Sequence, residues 1–363
     1  MYYHDSYIAD LRRIREQIPS PESFYGKTVM VTGATGLIGS AVVDFLAQLN
    51  LDEDAGIRIL AAGRSPGRLK ERFGDRADLP GMLYYPFDAL EPVRVGSMEG
   101  DSPTGGTGGE SPGSGPGEGQ DVLYPEYLIH AAGIANPAMY ASRPVETMMT
   151  TICGTGAVLA LAAAHPGSRL LFVSSSEVYG KKESPEPFKE EEYGRVDILS
   201  PRSCYPVSRR AAETLCASYG EEKGIDFVIA RPGHVYGPTM TQGDNRVSSL
   251  FPREACAGRD IVLKSSGSQR RSYCYVLDCV SALLTILLRG ERGAAYNISN
   301  CGSVATIREM AECFAKAAGC RVRFEDPTCR ELAAFNPMAD ASLDASRLEA
   351  LGWRGLFDLR GGA

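Results

Sequence analysis

The segment that most constrains the fold of this chain is a glycine turn, Gly33-Ala-Thr-Gly36-Leu-Ile-Gly39, between an apolar run at 28–31 and a helical pattern at 38–49. In such a turn, a residue without Cβ lets the backbone approach a phosphate, and the last glycine lets helix and strand pack closely. Free N–H groups at the start of the helix favour an anion. The segment therefore predicts a strand–turn–helix unit that binds the pyrophosphate of a nucleotide cofactor through these residues: Gly33, Thr35, Gly36, Leu37, Ile38 and Gly39.

Apolar runs with the length of strands recur after this unit. They lie at 57–62, 82–87, 127–130, 169–174 and 226–230, and helical patterns separate several of them. Strands that alternate with helices predict an α/β fold built on a doubly wound parallel sheet of the Rossmann type.

Other segments depart from this alternation. Residues 1–24 carry apolar side chains at helical spacing and predict a helical extension that packs on the body or on a second subunit. Residues 25–236 are expected to form the cofactor-binding domain, and residues 237–363, where the alternation is lost, mainly a smaller substrate-binding lobe. Residues 97–121 are expected to be a disordered surface insertion, because their centre is rich in Gly, Ser and Pro.

Composition narrows the class of protein further. The 363 residues carry a net charge of −7, which does not suggest a nucleic-acid partner. No unbroken apolar run reaches the roughly 18 residues that span a bilayer, and the N-terminus lacks the pattern of a signal peptide. The ten cysteines show neither CxxC nor zinc-ligand spacing. We therefore expect a cytoplasmic protein with reduced thiols, no metal site and no membrane partner.

Nearly the whole chain after residue 27 resembles the extended short-chain dehydrogenase/reductase family, in its sugar-nucleotide epimerase/dehydratase group. The GxxGxxG spacing of the turn and the segment His130-Ala-Ala-Gly133 carry part of this resemblance. The resemblance implies an NAD(P) cofactor, a homodimer and further cofactor contacts from Asp88, Ala131, Ala132 and Pro232. A loop-capping role is the alternative for Asp88.

The residues after the second strand bear on the choice of cofactor. The segment Ala61-Ala-Gly63-Arg64-Ser65 has no acidic residue that would bind a ribose 2′-hydroxyl and favour NAD. Arg64, with Arg68, can meet a 2′-phosphate, which favours NADP. An arginine can also stack on adenine in enzymes that use NAD, so both cofactors stay open.

The segment Leu171-Phe-Val-Ser-Ser-Ser-Glu-Val-Tyr-Gly180 resembles the family's fifth-strand motif. By this resemblance Ser175 is the catalytic hydroxyl, while Ser176 and Glu177 occupy positions that vary with the reaction. The Ser-Glu pair is more similar to uronic-acid decarboxylases than to 4,6-dehydratases, which carry an acidic pair. Serines at the end of a strand can also be simple turn formers.

Two tyrosines compete for the catalytic Tyr-x-x-x-Lys motif. Tyr219 and Lys223 fit its letters, whereas Tyr205 is followed by Arg209. The helix expected at 204–222 begins at the carboxyl edge of the sheet, so Tyr219 would lie about 21 Å along it from Tyr205. We therefore predict Tyr205 as the catalytic tyrosine, contacting the cofactor with Arg209.

Arginine in place of the family's lysine has chemical consequences. Arg209 shares a helix face with Tyr205, and its charge would stabilise a phenolate. Arginine is planar and does not deprotonate, so it cannot pass its own proton along a relay. A working variant, a slow or altered enzyme and a cofactor-binding protein without turnover are the three outcomes that follow.

Resemblance also extends to the substrate side. His234 follows the sixth strand where asparagine is commoner in the family, and it is either a substrate-lining or a structural residue. Arg271 matches the arginine that binds the diphosphate of a sugar nucleotide, or it pairs with Asp278 on the surface. Asn245, with its neighbours Asp244 and Arg246, falls in the substrate region.

These features predict an NAD(P)-dependent enzyme that modifies a nucleotide sugar through a transient ketone. Tyr205 would remove a hydroxyl proton with help from Ser175, and Glu177 would act as an acid, a base or a positioning group. Epimerisation, dehydration and decarboxylation share this opening. A simple oxidoreductase on a non-nucleotide alcohol and a non-catalytic cofactor-binding protein are the alternatives.

Overall fold

The computed structural model of the protein describes residues 3–91, 124–182, 184–241, 243–328, 332, 335 and 338–359. The insertion expected at 97–121 lies outside the described residues. The described strands, numbered along the chain, are β1 (Thr28–Thr32), β2 (Arg58–Gly63), β3 (Met82–Pro86), β4 (Tyr127–His130), β5 (Arg169–Val173), β6 (Asp226–Pro232), β7 (His234–Tyr236), β8 (Ile261–Leu263), β9 (Arg270–Tyr275), β10 (Ala295–Ile298), β11 (Val304–Thr306), β12 (Val322–Phe324) and β13 (Asp340–Ala341).

The helices cover the faces of the central sheet and build much of the smaller lobe. They are α1 (Asp5–Arg15), α2 (Leu37–Glu53), α3 (Pro66–Phe73), α4 (Pro137–Ser142), α5 (Pro144–Ala164), α6 (Cys204–Lys223), α7 (Val247–Cys256), α8 (Val276–Arg289), α9 (Ile307–Ala318) and α10 (Ser346–Ala350). The helix predicted at 204–222 is confirmed, and it begins where the position of Tyr205 requires.

Seven parallel strands form the central sheet, in the order β10-β6-β5-β4-β1-β2-β3. The predicted doubly wound sheet is confirmed, with β10 as an additional strand. The order reverses between β1 and β4, and the carboxyl ends of strands beside such a reversal flank the crevice where ligands bind. The glycine turn follows β1, and His130 ends β4, so both lie at this crevice.

Successive residues of each strand face opposite layers of the protein. On β1, Val29 and Val31 join the cluster that includes α2 and α8, whereas Met30 joins the cluster under α5 and α6. Because both faces are covered, all five residues of β1 are buried. The continuous apolar runs in the sequence have this cause.

The chain after β6 builds the smaller lobe and also returns to the sheet. Strand β9 pairs with β7, β11 and β13, while β8 pairs with β12. Between these pairs the chain sends α8 against α2 and adds β10 to the edge of the main sheet beside β6. The smaller lobe is therefore anchored to the cofactor-binding sheet by a helix and a strand.

Helix α1 packs on α2 and α8 and buries the apolar face of the N-terminal extension. Beside it, the buried Asp44 of α2 accepts hydrogen bonds from Tyr3 Oη at 2.7 Å and Tyr7 Oη at 2.9 Å. Arg72 of α3 also donates to Asp44, at 2.5 Å. Burial, reinforced by Asp44, raises the pKa of Tyr7 well above its ordinary value, so its hydroxyl stays protonated. Asp44 thus bonds the extension to helix α2 and, through Arg72, to helix α3.

Within the described ranges, one helix, α5, is long and apolar enough to cross a membrane by length and composition alone. It contacts β4 and β5 and lies along α6, and 44% of its apolar window is buried inside the protein. Because α5 packs against the central sheet, its apolar composition is that of a helix in the protein core.

Candidate active site

The glycine turn has no room for larger side chains at two of its positions. Gly33 has φ +67°, and a Cβ there would lie 2.8 Å from both Ala131 O and Ala132 N. A Cβ on Gly39 would lie 2.8 Å from Gly33 C and closer still to the Gly33 carbonyl oxygen. The turn, the start of α2 and the end of β4 therefore approach one another through backbone atoms alone.

The start of α2 is free to bind an anion. Its N-cap residue, Gly36, provides no side-chain hydrogen bond to the first turn, so the leading N–H groups keep their donor capacity. Thr35 and Ile38 are half-buried at this end, and the buried Leu37 accepts a bond from Thr239 Oγ1 at 2.8 Å through its carbonyl oxygen. The residues present fit the pyrophosphate of a dinucleotide, as the sequence predicted.

The end of β4 is fixed to the end of β1 by a buried threonine. Thr32 Oγ1 lies 2.7 Å from His130 Nδ1 and accepts from the Ala132 N–H at 3.2 Å. Burial, and then the charge of Arg209, lowers the pKa of His130 to about 3, so this imidazole stays neutral. These contacts hold Ala131 and Ala132 against the glycine turn.

Residues predicted to surround the adenosine lie near the ends of β2 and β3. Asp88 accepts a hydrogen bond from the Leu90 N–H at 3.0 Å, which is the capping role left open by the sequence. Arg64 and Arg68 are exposed, and neither forms an ion pair with a described residue. Both guanidinium groups are thus available to a ligand.

The three serines after β5 have different surroundings. The buried Ser174 donates to Glu213 Oε1 at 2.6 Å, a contact within the protein interior. Ser175 is half-buried and caps a short 3-10 helix, Ser176–Tyr179, by accepting from the Glu177 N–H at 3.2 Å. Ser176 is buried. Ser175 therefore combines the predicted catalytic position with a turn-forming bond.

Tyr205 lies in the first turn of α6 and is buried except for 5% of its surface. Its ring stacks on Tyr140 of α4 with centroids 4.6 Å apart and an angle of 13°. Arg209 lies one turn further along, with its guanidinium carbon 5.1 Å from the centre of the Tyr205 ring. The predicted Tyr–Arg pair therefore shares one helix face at the carboxyl edge of the sheet.

Arg209 is held firmly in this position. Its Nη1 donates to the Val173 carbonyl oxygen at 3.0 Å, and its guanidinium lies 5.6 Å from the centre of the Phe172 ring. A Cβ on Gly133 would lie 2.5 Å from Arg209 Nη2, so the glycine makes space for the arginine. The buried Nε has no partner among the described residues and keeps a donor for a ligand.

The competing tyrosine lies at the other end of α6. Lys223 is the last residue of the helix and forms a surface ion pair with Glu222 at 2.8 Å. Tyr219 packs against the cluster under α5 and α6. Helix geometry therefore keeps both residues away from the carboxyl edge.

Glu177 has a partner that the sequence did not suggest. Arg202 Nη1 and Nη2 donate to the two Glu177 oxygens, both at 3.1 Å. The guanidinium of Arg202 also lies 4.8 Å from the centre of the Tyr140 ring. Burial tends to lower the pKa of Arg202, but Glu177 outweighs this and raises it. Proximity to Tyr205 in the chain was the one available signal for Arg202.

Arg271 is a buried guanidinium on β9 without a carboxylate partner among the described residues. Its Nη1 donates to the carbonyl oxygen of Arg270 at 2.7 Å. Asp278, the alternative partner, instead accepts bonds from Asn300, Leu356 and Phe357. Burial lowers the pKa of Arg271, while the charges of Tyr273 and Glu177 act in the opposite direction. A buried cation of this kind is suited to an anionic ligand.

His234 and Arg246 line the same region. Burial, followed by the charges of Arg271 and Arg246, lowers the pKa of His234 to about 3, and its Nδ1 has no partner within the described ranges. Arg246 forms an ion pair with Asp244 at 2.5 Å and lies close enough to Tyr205 to interact with its charge. Asn245 is exposed, and Pro232 is buried at the end of β6.

The described residues contain no cluster of three His, Cys, Asp or Glu side chains that could hold a metal ion. The candidate site comprises the phenol of Tyr205, the hydroxyl of Ser175, the carboxylate of Glu177 and several guanidinium groups. This set can move a proton from a hydroxyl group and bind a multiply charged anion, next to a turn that fits a dinucleotide.

Comparison with known proteins agrees with this geometry. Residues 119–302 match the model of the NAD dependent epimerase/dehydratase family. UDP-glucuronic acid decarboxylase 6 of Arabidopsis thaliana is 34% identical over 284 residues, which cover 78% of this chain and 72% of that protein.

Solved structures share the fold. UDP-glucose 4-epimerase of Thermotoga maritima, with UDP-glucose, superposes with a TM-score of 0.70 at 20% identity, covering 92% of this chain and 96% of that one. RMD of Pseudomonas aeruginosa, complexed with NADPH, gives a TM-score of 0.66 at 24% identity, covering 93% and 96%. These structural likenesses confirm the fold.

Proposed function

The chain belongs to the NAD-dependent epimerase/dehydratase family and acts on nucleotide sugars, and we propose that it decarboxylates a nucleoside diphosphate uronic acid. The observation that carries the proposal is Glu177, a single carboxylate that follows Ser175 and Ser176 and whose charge acts on the buried guanidinium of Arg271. The family's 4,6-dehydratases, which remove water, carry two acidic residues at the positions of Ser176 and Glu177. The similarity to UDP-glucuronic acid decarboxylases supports the same choice.

The cofactor fits where the backbone is closest. The glycine turn and the open start of α2 would hold the pyrophosphate, Ala131 and Ala132 would flank it, and Arg209 would meet the nicotinamide ribose. When bound, NAD(P) supplies a reversible hydride acceptor for the carbon of a sugar hydroxyl.

The side chains around this position would carry the protons. Tyr205 would take the proton of the sugar hydroxyl as a ketone forms, with Ser175 donating a hydrogen bond to the same oxygen. The permanent charge of Arg209, next to the Tyr205 ring, favours the phenolate.

Loss of carbon dioxide then follows from the ketone. The bond between the ring carbon and the carboxylate breaks, carbon dioxide leaves, and the electron pair moves through the neighbouring carbon to the carbonyl oxygen as an enolate. The enolate carbon would take a proton that comes from water, and Tyr205 would give its proton back to the oxygen as the ketone is reduced to the hydroxyl again. NAD(P), held by the glycine turn, would supply this reversible redox chemistry and end unchanged overall. Glu177 would position the ring and exchange protons with water at the enolate carbon.

Mass spectrometry of the products tests the proposal. Purified protein with NAD or NADP is given UDP-glucuronate, UDP-glucose and dTDP-glucose. We expect a product of UDP-glucuronate that has lost carbon dioxide, formed by the native protein and not by Tyr205→Phe. Loss of water would refute decarboxylation and identify a dehydratase. An unchanged mass with every sugar would also refute it, and chromatography of the sugars would then distinguish an epimerase from a protein without turnover. Net cofactor consumption with a simple alcohol would support the oxidoreductase alternative.

A preference for NADP is the finer proposal about the cofactor. Arg64 and Arg68 are exposed and free of described ion pairs, and the end of β2 offers no acidic side chain for a 2′-hydroxyl. Calorimetric titration with both cofactors decides it. If Arg64 binds the 2′-phosphate, Arg64→Met weakens NADP binding and leaves NAD unchanged, whereas an equal loss for both would indicate stacking on adenine.

We also propose a homodimer, in a reducing compartment such as the cytoplasm. On α5, Val145 is 73% exposed and Met149 45% exposed, and they lie on one face of a strongly apolar helix. No disulfide joins the nine cysteines in the described part of the chain. Light scattering of native protein and of Val145→Asp would show a dimer that the charge dissociates.

A further inference from the structure

Arg202 stands next to the reacting groups in a short 3-10 helix, Pro201–Ser203, that leads into α6. Its fork to Glu177 is symmetric, with both N···O distances at 3.1 Å, and both side chains are largely withdrawn from solvent, at 14% and 17% exposure. A planar fork that binds both oxygens fixes the orientation of a carboxylate as well as its place.

The same guanidinium begins a stack of four side chains. Arg202 lies on the Tyr140 ring at 4.8 Å, Tyr140 stacks on Tyr205 at 4.6 Å, and the guanidinium of Arg209 lies 5.1 Å from the centre of the Tyr205 ring. Two aromatic rings are thus held between two cations, and cation–π attraction acts at both ends. The Tyr205 ring cannot tilt without disturbing the Tyr140 ring on which it stacks, and Tyr140 is itself only 2% exposed.

We propose that Arg202 is a positioning residue for both reacting side chains: its fork holds the Glu177 carboxylate, and its flat face, through Tyr140, holds the Tyr205 ring. The inference rests on the proposed function, which gives Glu177 and Tyr205 their roles. Neither the glycine turn nor the fifth-strand motif contains this arginine.

The ion pair between Arg202 and Glu177 also keeps the guanidinium of Arg271 available to an anionic ligand. Arg271 forms no ion pair with a described carboxylate, and among the described residues the charges of Glu177 and Asp340 act on it. Without Arg202, the Glu177 carboxylate would lose its partner, and its charge would attract the buried guanidinium of Arg271. The carboxylate would then compete with the substrate anion for Arg271.

Kinetics of Arg202→Met, which keeps much of the apolar stem, test both halves of the inference. We expect kcat to fall about 100-fold, as for the loss of a positioned acid–base group, and KM to rise about tenfold. Arg202→Lys, which restores the charge without the fork, should recover KM more than kcat. Arg12→Met is the matched control, because Arg12 makes a similar fork to Asp52 at 2.9 and 2.8 Å on the surface. It should change neither constant by more than about twofold.

The double variant Glu177→Gln/Arg202→Met separates competition from a general loss of structure. Glutamine carries no charge to attract Arg271, so the Arg202→Met substitution should add little to KM in this background. A full rise in KM there would overturn the competition, and unchanged kcat and KM in Arg202→Met with only a lower unfolding temperature would overturn the whole inference.

A fluorinated tyrosine placed at position 205 provides a readout that does not depend on turnover. We expect one sharp fluorine resonance in the native background and in Arg12→Met, and a shifted or broadened one in Arg202→Met. An unchanged resonance would overturn the link through Tyr140. Absence of carbon dioxide from the native protein would refute the proposed function alone, and the kinetic comparison would then use whichever nucleotide sugar is converted.

Discussion

Replacing Gly39 by alanine should damage both stability and cofactor binding. The new Cβ would lie 2.8 Å from Gly33 C and closer still to its carbonyl oxygen, where ordinary contact needs about 3.5 Å. Both neighbours are backbone atoms, so the start of α2 must move by roughly 1 Å. Alanine in a helix gains about 1 kcal/mol over glycine, and overpacking costs about 1–3 kcal/mol or more. Because both neighbours are backbone atoms, we expect an overpacking cost of about 3 kcal/mol, hence a net loss of about 2 kcal/mol, and at least about tenfold weaker cofactor binding.

Thermal unfolding of the cofactor-free protein and calorimetric titration of the cofactor measure the two effects separately. Gly36→Ala meets only Gly33 O, at 3.3 Å, so it should leave the free protein nearly as stable and weaken binding, since its methyl group points to the phosphate site. Gly67→Ala, with its nearest neighbour Ser65 Oγ at 3.6 Å, should stabilise the protein and leave binding unchanged. If Gly39→Ala were as stable as Gly67→Ala, the close approach of helix and turn would not be real.

Further variants address catalysis and pH. Tyr205→Phe should lower kcat by about 100-fold or more with an unchanged cofactor affinity, whereas Tyr219→Phe should change kcat by less than about twofold. Arg209→Lys should keep kcat within about tenfold (about 1.4 kcal/mol), and a larger rise would show that arginine slows the enzyme. Burial raises the pKa of Asp278 from 3.8 to about 6, so its contribution to stability, about 3 kcal/mol, is complete below about pH 4 and lost as the pH rises through 6. Unfolding temperatures of Asp278→Asn between these pH values should lack that decrease.

The central sheet was predictable because two kinds of sequence pattern indicate its strands. Each is an apolar run, because both faces of the sheet are covered, and helices follow several of them, as α2 follows β1. The apolar pattern of strand β10 is weaker, because the polar Asn297 lies inside the strand. Its Oδ1 accepts a hydrogen bond from Tyr179 Oη, which is distant in the sequence. Strand patterns of this kind depend on tertiary partners that a local reading does not contain.

The candidate active site also contains residues whose positions the sequence could predict and others whose positions it could not. The sequence could predict that Tyr205 and Arg209 lie at the sheet edge, because helix geometry decides which end of α6 reaches that edge. It could not predict that Arg202 and Tyr140 lie beside them, because this placement depends on the approach of α4 to the segment before α6, two regions more than 60 residues apart in the chain. A charge on a loop is ordinarily a solvated side chain, and only the three-dimensional contact with Glu177 distinguishes this one.

The bonded N-terminal helix has a consequence for how the chain folds. Helix α1 is synthesised before α8, yet the two pack together, and Tyr275 Oη donates to Asp10 at 3.4 Å across 265 residues of sequence. Its apolar side chains therefore have no complete binding surface until most of the chain has left the ribosome. We expect α1 to dock late, so that early chains expose Leu11 and Ile14 and depend on chaperones or on slow synthesis to avoid aggregation.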